Sequence, residues 1–169
     1  MAKVDDLFAE YRHPLFRYFC RAVGQYDLAQ DLTQDVFTRV SGATIPSGPD
    51  VTIRAWLFRI ARNLALDHYR SQGRRPVASA PAVEWSRPAP QDVEFAVKEA
   101  LAALPTLDRD VFLMREVSGL GYDDIGKACE LTPDAVRSRL HRARLQLREH
   151  LSAPIAARRA EPMRTTRGN

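Results

Sequence analysis

Apolar positions in the first half of the chain recur at three- and four-residue steps, the period of an amphipathic helix. Val4, Leu7, Phe8, Tyr11, Leu15, Phe19, Ala22 and Val23 trace a first stripe, and Pro14 within it predicts a kink or a split. Gly24-Gln25-Tyr26 is a break. A second helix is predicted from about residue 27 to 40. It buries Leu28, Leu32, Val36 and Val40 and turns Asp27, Gln30, Asp31, Gln34 and Phe37 outward. Residues 41–50 hold Gly42, Pro46, Gly48 and Pro49 and read as a loop. A third helix, from about 51 to 71, has the inward stripe Ile53, Leu57, Ile60, Ala61, Leu64 and His68. Its outer face carries Arg59, Arg62, Asn63, Leu66 and Arg70, flanked by Trp56, Phe58 and Tyr69, and Gly73 suits a C-terminal cap.

Periodicity then lapses. Residues 76–91 contain Pro76, Pro81, Pro88 and Pro90 among alanines, the composition of an extended, semi-rigid linker. Beyond it Val93, Val97, Leu101 and Leu104 predict a helix ending at Pro105. Leu107, Val111, Met114 and Val117 predict another, with Thr106 as its N-cap. A short helix over about 122–129 buries Ile125 and Ala128, and Leu131 plugs the turn after it. Thr132-Pro133 opens the last helix with a capping hydroxyl and a proline at the first helical position. Val136, Leu140, Ala143, Leu147 and Leu151 form its apolar stripe. Opposite that stripe lie Asp134, Ser138, His141 and Arg142. Arg137, Arg144 and Arg148 follow one flank, and Arg139 sits nearer the buried edge on the other. This pair is a helix-turn-helix, whose second helix suits a DNA major groove. Residues 152–169, with two prolines and four arginines, read as a disordered basic tail.

No strand pattern appears, so the fold class is all-α: two small helical domains joined by a Pro/Ala-rich linker. The boundaries are 1–75, linker 76–91, helix-turn-helix domain 92–151 and tail 152–169.

Composition narrows the function. With 169 residues and 45% apolar content the chain can bury a core. Its net charge is only +4, so the basic character acts locally, on the two arginine-bearing helices; the pI of about 9.4 suits a nucleic-acid binder. Cys20 and Cys129 lie in helical patterns and read as buried thiols of a reducing compartment. They lack metal-ligand spacing, and no metal or other cofactor is expected. There is no signal-peptide pattern and no apolar run near the roughly 18 residues of a membrane span, so no membrane insertion and a cytoplasmic location are expected. No phosphate loop, metal cluster or nucleophile–base arrangement appears, which argues against an enzyme.

Arginines on the third and last helices supply attraction to phosphate. Trp56, Phe58 and Tyr69 either stack on unpaired bases or pack as core, whereas Asn63, among arginines, can bond a base edge. His68 faces inward as a core histidine. Asp27, Asp31 and Asp35 with Gln30 and Gln34 would repel DNA and suit a basic protein partner or a merely solvated face.

Two blocks carry a resemblance. Ala29-Gln30-Asp31-Leu32-Thr33-Gln34-Asp35-Val36-Phe37 and Ala55-Trp56-Leu57-Phe58-Arg59-Ile60-Ala61-Arg62-Asn63 are similar to conserved region 2 of the extracytoplasmic-function (ECF) sigma factors. Leu104-Pro105, Arg109 and residues 136–144 (Val-Arg-Ser-Arg-Leu-His-Arg-Ala-Arg) resemble their region 4, in the right order, so the likeness runs from about Val4 to Leu151. It implies an initiation factor that binds core RNA polymerase and promoter DNA. Asp31, Gln34 and Asp35 fall on the face that docks on the clamp of the largest polymerase subunit. Trp56, Arg59, Arg62, Asn63 and Arg70 fall on the minus-10 contact. Arg137, Ser138, Arg139, His141, Arg142 and Arg144 fall on the minus-35 contact. Many members are held inactive by an anti-sigma factor covering both domains, and such a partner is compatible with the resemblance.

Four positions depart from the family. Glu130 stands for the usual turn glycine, which forces a side chain into or near the left-handed region. Gly126 replaces an alanine, which should weaken the supporting helix slightly. Asp134-Ala135 stands where many members have Gly-Thr, an acid that would favour a cytosine amino group. A conventional helix-turn-helix regulator, dimeric on a palindrome, is the competing reading.

Overall fold

The computed structural model describes residues 4–47, 52–73 and 91–152. Arg74, Arg75 and the expected linker at 76–91 and tail at 152–169 lie outside the described residues, except for Gln91 and Ser152, which are helical rather than linker and tail. Within the described residues the chain forms seven helices and no strand: α1 Val4–Val23, α2 Tyr26–Ser41, α3 Ile53–Ser71, α4 Gln91–Ala103, α5 Thr106–Glu116, α6 Tyr122–Cys129 and α7 Pro133–Ser152.

Helix α1 runs unbroken through Pro14, contrary to a split there. The proline removes only the bond to the carbonyl of Glu10, a solvent-exposed residue, while Tyr11, Leu15 and Tyr18 on the other side are held in the core. Phe37 was expected on the outer face of α2 but is buried, its ring meeting the Phe8 ring edge-on at 4.9 Å. α1 packs along α2 and widens the apolar face beyond the four-residue stripe. Along α4 the buried residues are Ala96, Ala100 and Leu101, with Leu104 buried just after it, whereas Val93, expected in the stripe, is exposed. Leu151 also falls outside, on the exposed last turn of α7. The N-cap of α5 is Pro105 rather than Thr106. The cap at the end of α3 is as expected, with Gly73 at φ 59° following Gln72.

Helices α1–α3 and α4–α7 each bundle around their own apolar stripes, and the two groups share one continuous core. α3 lies along α6, and α1 meets α5. Tyr18 is fully buried between Phe19 and Phe58, at ring distances of 5.5 and 5.8 Å in edge-to-face geometry. Such aromatic pairs are worth about 0.5–1.5 kcal/mol each beyond the area they bury. Ser118, just after α5, donates its hydroxyl to the Pro14 carbonyl at 3.2 Å and adds a polar tie between the groups.

Candidate nucleic-acid interface

The helix-turn-helix is built around its turn. α6 ends at Cys129, and Glu130 takes the left-handed conformation at φ 59°, ψ 46°. That reversal lets the Leu131 N–H donate to the Gly126 carbonyl at 2.8 Å and swings the Leu131 carbonyl over Gly126. A Cβ on Gly126 would meet that oxygen at 2.7 Å, so the glycine is required by a close approach, not a simple loss of helix propensity. Gly126 and Glu130 act as one feature: the reversal at Glu130 seats the turn where only glycine leaves room. Thr132 then caps α7 as expected, its hydroxyl accepting from the Ala135 N–H at 3.2 Å. Val136, Leu140, Ala143 and Leu147 are buried and fix the rotation of α7.

With that rotation set, Arg137, Ser138, His141 and Arg142 face solvent together. Arg137 bonds Asp134 at 2.5 Å, one turn earlier, and its guanidinium lies 5.7 Å from the Tyr122 ring centroid. Arg139 is half-buried and bonds Asp108 of α5 at 2.6 Å; Arg142 reaches the same carboxylate at 3.5 Å while staying exposed. Arg144 pairs with Glu116.

On α3, Asn63 and Arg70 are exposed, and Arg70 is 3.7 Å from Asp67. Trp56 is half-buried and packed against the core, and Phe58 is fully buried, so Phe58 is structural. Leu66 and His68 are half-buried, the first less exposed and the second less enclosed than the stripe implied. Tyr69 donates its hydroxyl to the Ala22 carbonyl at 2.7 Å and ties α3 to α1.

Arg59 and Arg62 do not stand free: Arg59 pairs with Glu130 at the helix-turn-helix turn. Arg62 Nε donates to Asp110 Oδ2 of α5 at 3.0 Å, with the Asp110 side chain only 4% exposed. Tyr18 also donates its hydroxyl to Asp110, at 3.5 Å. Burial pushes the Asp110 carboxyl up from the ordinary carboxylate range, while Arg109 and Arg62 pull it down. Burial likewise raises the Tyr18 hydroxyl well above its usual value, so it stays a donor. Sequence periodicity missed this seam because it is blind to which helix faces meet across 48 positions of chain.

Asp31, Gln34 and Asp35 are exposed together on α2. Asp31 and Gln34, though not Asp35, line an open groove of about 560 Å³ whose other wall is Phe8, Arg12, His13 and Phe16 of α1. The α1 residues were missed as site candidates because Phe8 reads as core and Arg12 and His13 as surface; only the packing of α1 on α2 aligns them.

The Sigma-70 region 2 family model matches residues 7–75 and the Sigma-70, region 4 model matches 94–147. The ECF RNA polymerase sigma factor SigE of Mycolicibacterium smegmatis is 32% identical over 162 residues, covering 90% of this chain and 63% of that protein. The RNA polymerase sigma-H factor of Pseudomonas aeruginosa is 30% identical over 157 residues, covering 83% of this chain and 81% of that protein. Among solved structures, CnrH in complex with the cytosolic domain of CnrY has a TM-score of 0.69 at 29% identity, covering 89% of this chain and 88% of that one. The sigma factor RpoE of Bartonella quintana, in complex with the anti-sigma factor NepR, has a TM-score of 0.73 over 88% of this chain and 96% of that one; at 24% identity it supports the fold alone. No helix among the described residues is long and apolar enough to cross a membrane. With regions 2 and 4 matched in order and relatives at 30% identity or more spanning most of its length, the chain belongs to the ECF sigma factors, which direct promoter recognition and transcription initiation.

Proposed function

We propose that the chain uses three separate faces to bring core RNA polymerase to a promoter, with no catalysis of its own and in the cytoplasm. The face of α7 with Arg137, Ser138, His141 and Arg142 at its centre, supported by Arg139 and Arg144, reads the minus-35 element in the major groove. The α3 face of Arg59, Arg62, Asn63 and Arg70, with Trp56 at its edge, holds the minus-10 element. Asp31, Gln34 and Asp35, with the apolar and basic α1 wall beside them, seat the chain on the polymerase clamp. The observation that carries this reading is the division of charge: among the described residues no ion pair engages Asp31 or Asp35, while both arginine clusters lie on other helices. An acidic face would repel DNA and suits a basic protein surface.

Two weak DNA contacts on one chain act as one strong contact once the polymerase fixes their spacing. The linker at 76–91 is the proposed tether between domains 1–75 and 92–151. The solved structure of CnrH is a complex with the cytosolic domain of CnrY, and we include an anti-sigma protein that binds in that manner among this chain's partners. Size-exclusion chromatography with purified core polymerase tests the reading. It predicts a monomer that co-elutes with the polymerase; a stable dimer that ignores polymerase and binds symmetric duplexes would instead establish the conventional regulator.

A further inference from the structure

We propose that Asp108, a buried carboxylate in the first turn of α5, is a positioning residue for base reading: it holds the Arg142 guanidinium of α7 in the direction from which that group meets a guanine of the minus-35 element. This rests on the reading of α7 as the minus-35 face. Three observations carry it. First, the Asp108 side chain is only 4% exposed, yet its Oδ1 accepts from Arg139 Nη1 at 2.6 Å and from Arg142 Nη2 at 3.5 Å. Second, these two arginines stand one turn apart on α7 and differ in exposure: Arg139 is half-buried, whereas the Arg142 side chain is 56% exposed. One ties α5 to α7, and the other reaches past the carboxylate into solvent. Third, the carboxylates that pair with the neighbouring arginines, Asp134 with Arg137 and Glu116 with Arg144, are themselves exposed. Exposed pairs are worth little and are screened by salt, so of the three carboxylates Asp108 alone can fix a guanidinium before DNA arrives.

A carboxylate can sit buried here because its surroundings are positive. Asp108 lies at the positive end of the α5 helix dipole, and two guanidiniums face it. An untethered arginine on a helix surface has many rotamers open to it and swings readily to the phosphates that flank a groove. Held through one Nη2 contact, Arg142 gives up that freedom during folding rather than on binding, and its remaining N–H donors point to the groove. The forked guanidinium edge matches guanine O6 and N7, so a fixed direction favours the base over the phosphate. Helical spacing singles out Arg142 but not Asp108, because the two lie 34 positions apart on different helices.

The test uses holoenzyme formed from core polymerase and the full chain. It is offered a promoter duplex, recovered by run-off transcription and randomised across its minus-35 element, and the bound duplexes are sequenced to give the preference at each base position. Arg142→Ala should flatten one guanine preference by about tenfold, the size of a lost bidentate contact. Asp108→Asn should flatten the same preference by about threefold, less because the guanidinium itself stays, and leave the other positions sharp. Added to Arg142→Ala, it should change that position no further, since the two residues act through one contact. Asp108→Asn alone strands the half-buried Arg139 cation, so it is also compared within Arg139→Met, where that cation is gone. The same preference must flatten in that background. A uniform weakening across all positions, or a preference that stays sharp in the Arg139→Met background, overturns the positioning role and leaves Asp108 as a tie between α5 and α7. If Arg142→Ala itself flattens no position, the reading of α7 has failed, and the role of Asp108 fails with it.

Discussion

Arg62 Nε and Asp110 Oδ2, 3.0 Å apart, join α3, in the half matched to region 2, with α5, the second helix of the region 4 half. Around the carboxylate stand Tyr18 of α1, Arg62 of α3, Arg109 of α5 and Cys129 of α6. Burial raises the Asp110 carboxyl, and the two arginines offset that only partly. A carboxyl raised in the folded chain contributes stability that is complete below the ordinary carboxylate value and fades as pH rises through the raised one. Melting temperatures of wild type and Asp110→Asn should therefore diverge with rising pH across that window, with the Asn variant gaining on wild type. A gap that moves the other way would mean that Arg62 outweighs burial.

Gly126 and Glu130 make a second linked pair. Gly126→Ala gains helix propensity but drives a Cβ to 2.7 Å from the Leu131 carbonyl, and the steric term should win. A net loss of about 1–2 kcal/mol is predicted from overpacking of this kind. Glu130→Gly removes backbone strain of about 1 kcal/mol. It loses only an exposed ion pair, so the chain should hold or gain stability while the seam loosens. Urea midpoints of the two variants read both predictions; equal destabilisation by each would break the linkage.

The cysteines supply a pH-sensitive readout. Burial pushes the Cys20 thiol up to about 11 and the Cys129 thiol up to about 12. Thiolate is the reactive form, so iodoacetamide at pH 8 should label neither in the folded chain and both in denaturant. Mass spectrometry counts the adducts. Fast labelling of the native chain at both sites would contradict the packing described for α1 and α6.

The division of labour between faces is testable by two substitutions. Arg142→Ala should cost roughly 1–3 kcal/mol of base discrimination and leave polymerase binding intact. Asp31→Arg should do the reverse, weakening polymerase affinity while duplex binding by the chain persists. Polymerase pull-down and promoter competition measure the two effects. A swap of the two phenotypes would show that the faces are assigned the wrong way round.

Much of the architecture was readable from the chain because an amphipathic helix declares itself in its period. Apart from Leu151 and His68, the stripes of α2, α3 and α7 lie where spacing puts them, as do the Thr132-Pro133 start and the Gly73 stop where capping chemistry puts those. What spacing cannot tell is which faces meet. Phe37 is apolar outside the narrow stripe, and only α1 lying against it decides that it is core. Arg62 reads as solvent-facing on its own helix and becomes half-enclosed because α5 brings Asp110 to it. Glu130 reads from the chain only as a backbone cost, and spacing along one helix cannot show that its side chain reaches Arg59 on another. The same limit hid Phe8, Arg12, His13 and Phe16, whose alignment as a groove wall depends on the angle between α1 and α2.

Run-off transcription with purified core polymerase on promoter-bearing templates puts the central claim to its most direct test. The account predicts discrete transcripts that require the chain, lost on removal of either the α3 or the α7 arginines and lost with Asp31→Arg through failure to hold polymerase. Core polymerase that gives the same products with and without the chain, on every template offered, would contradict it.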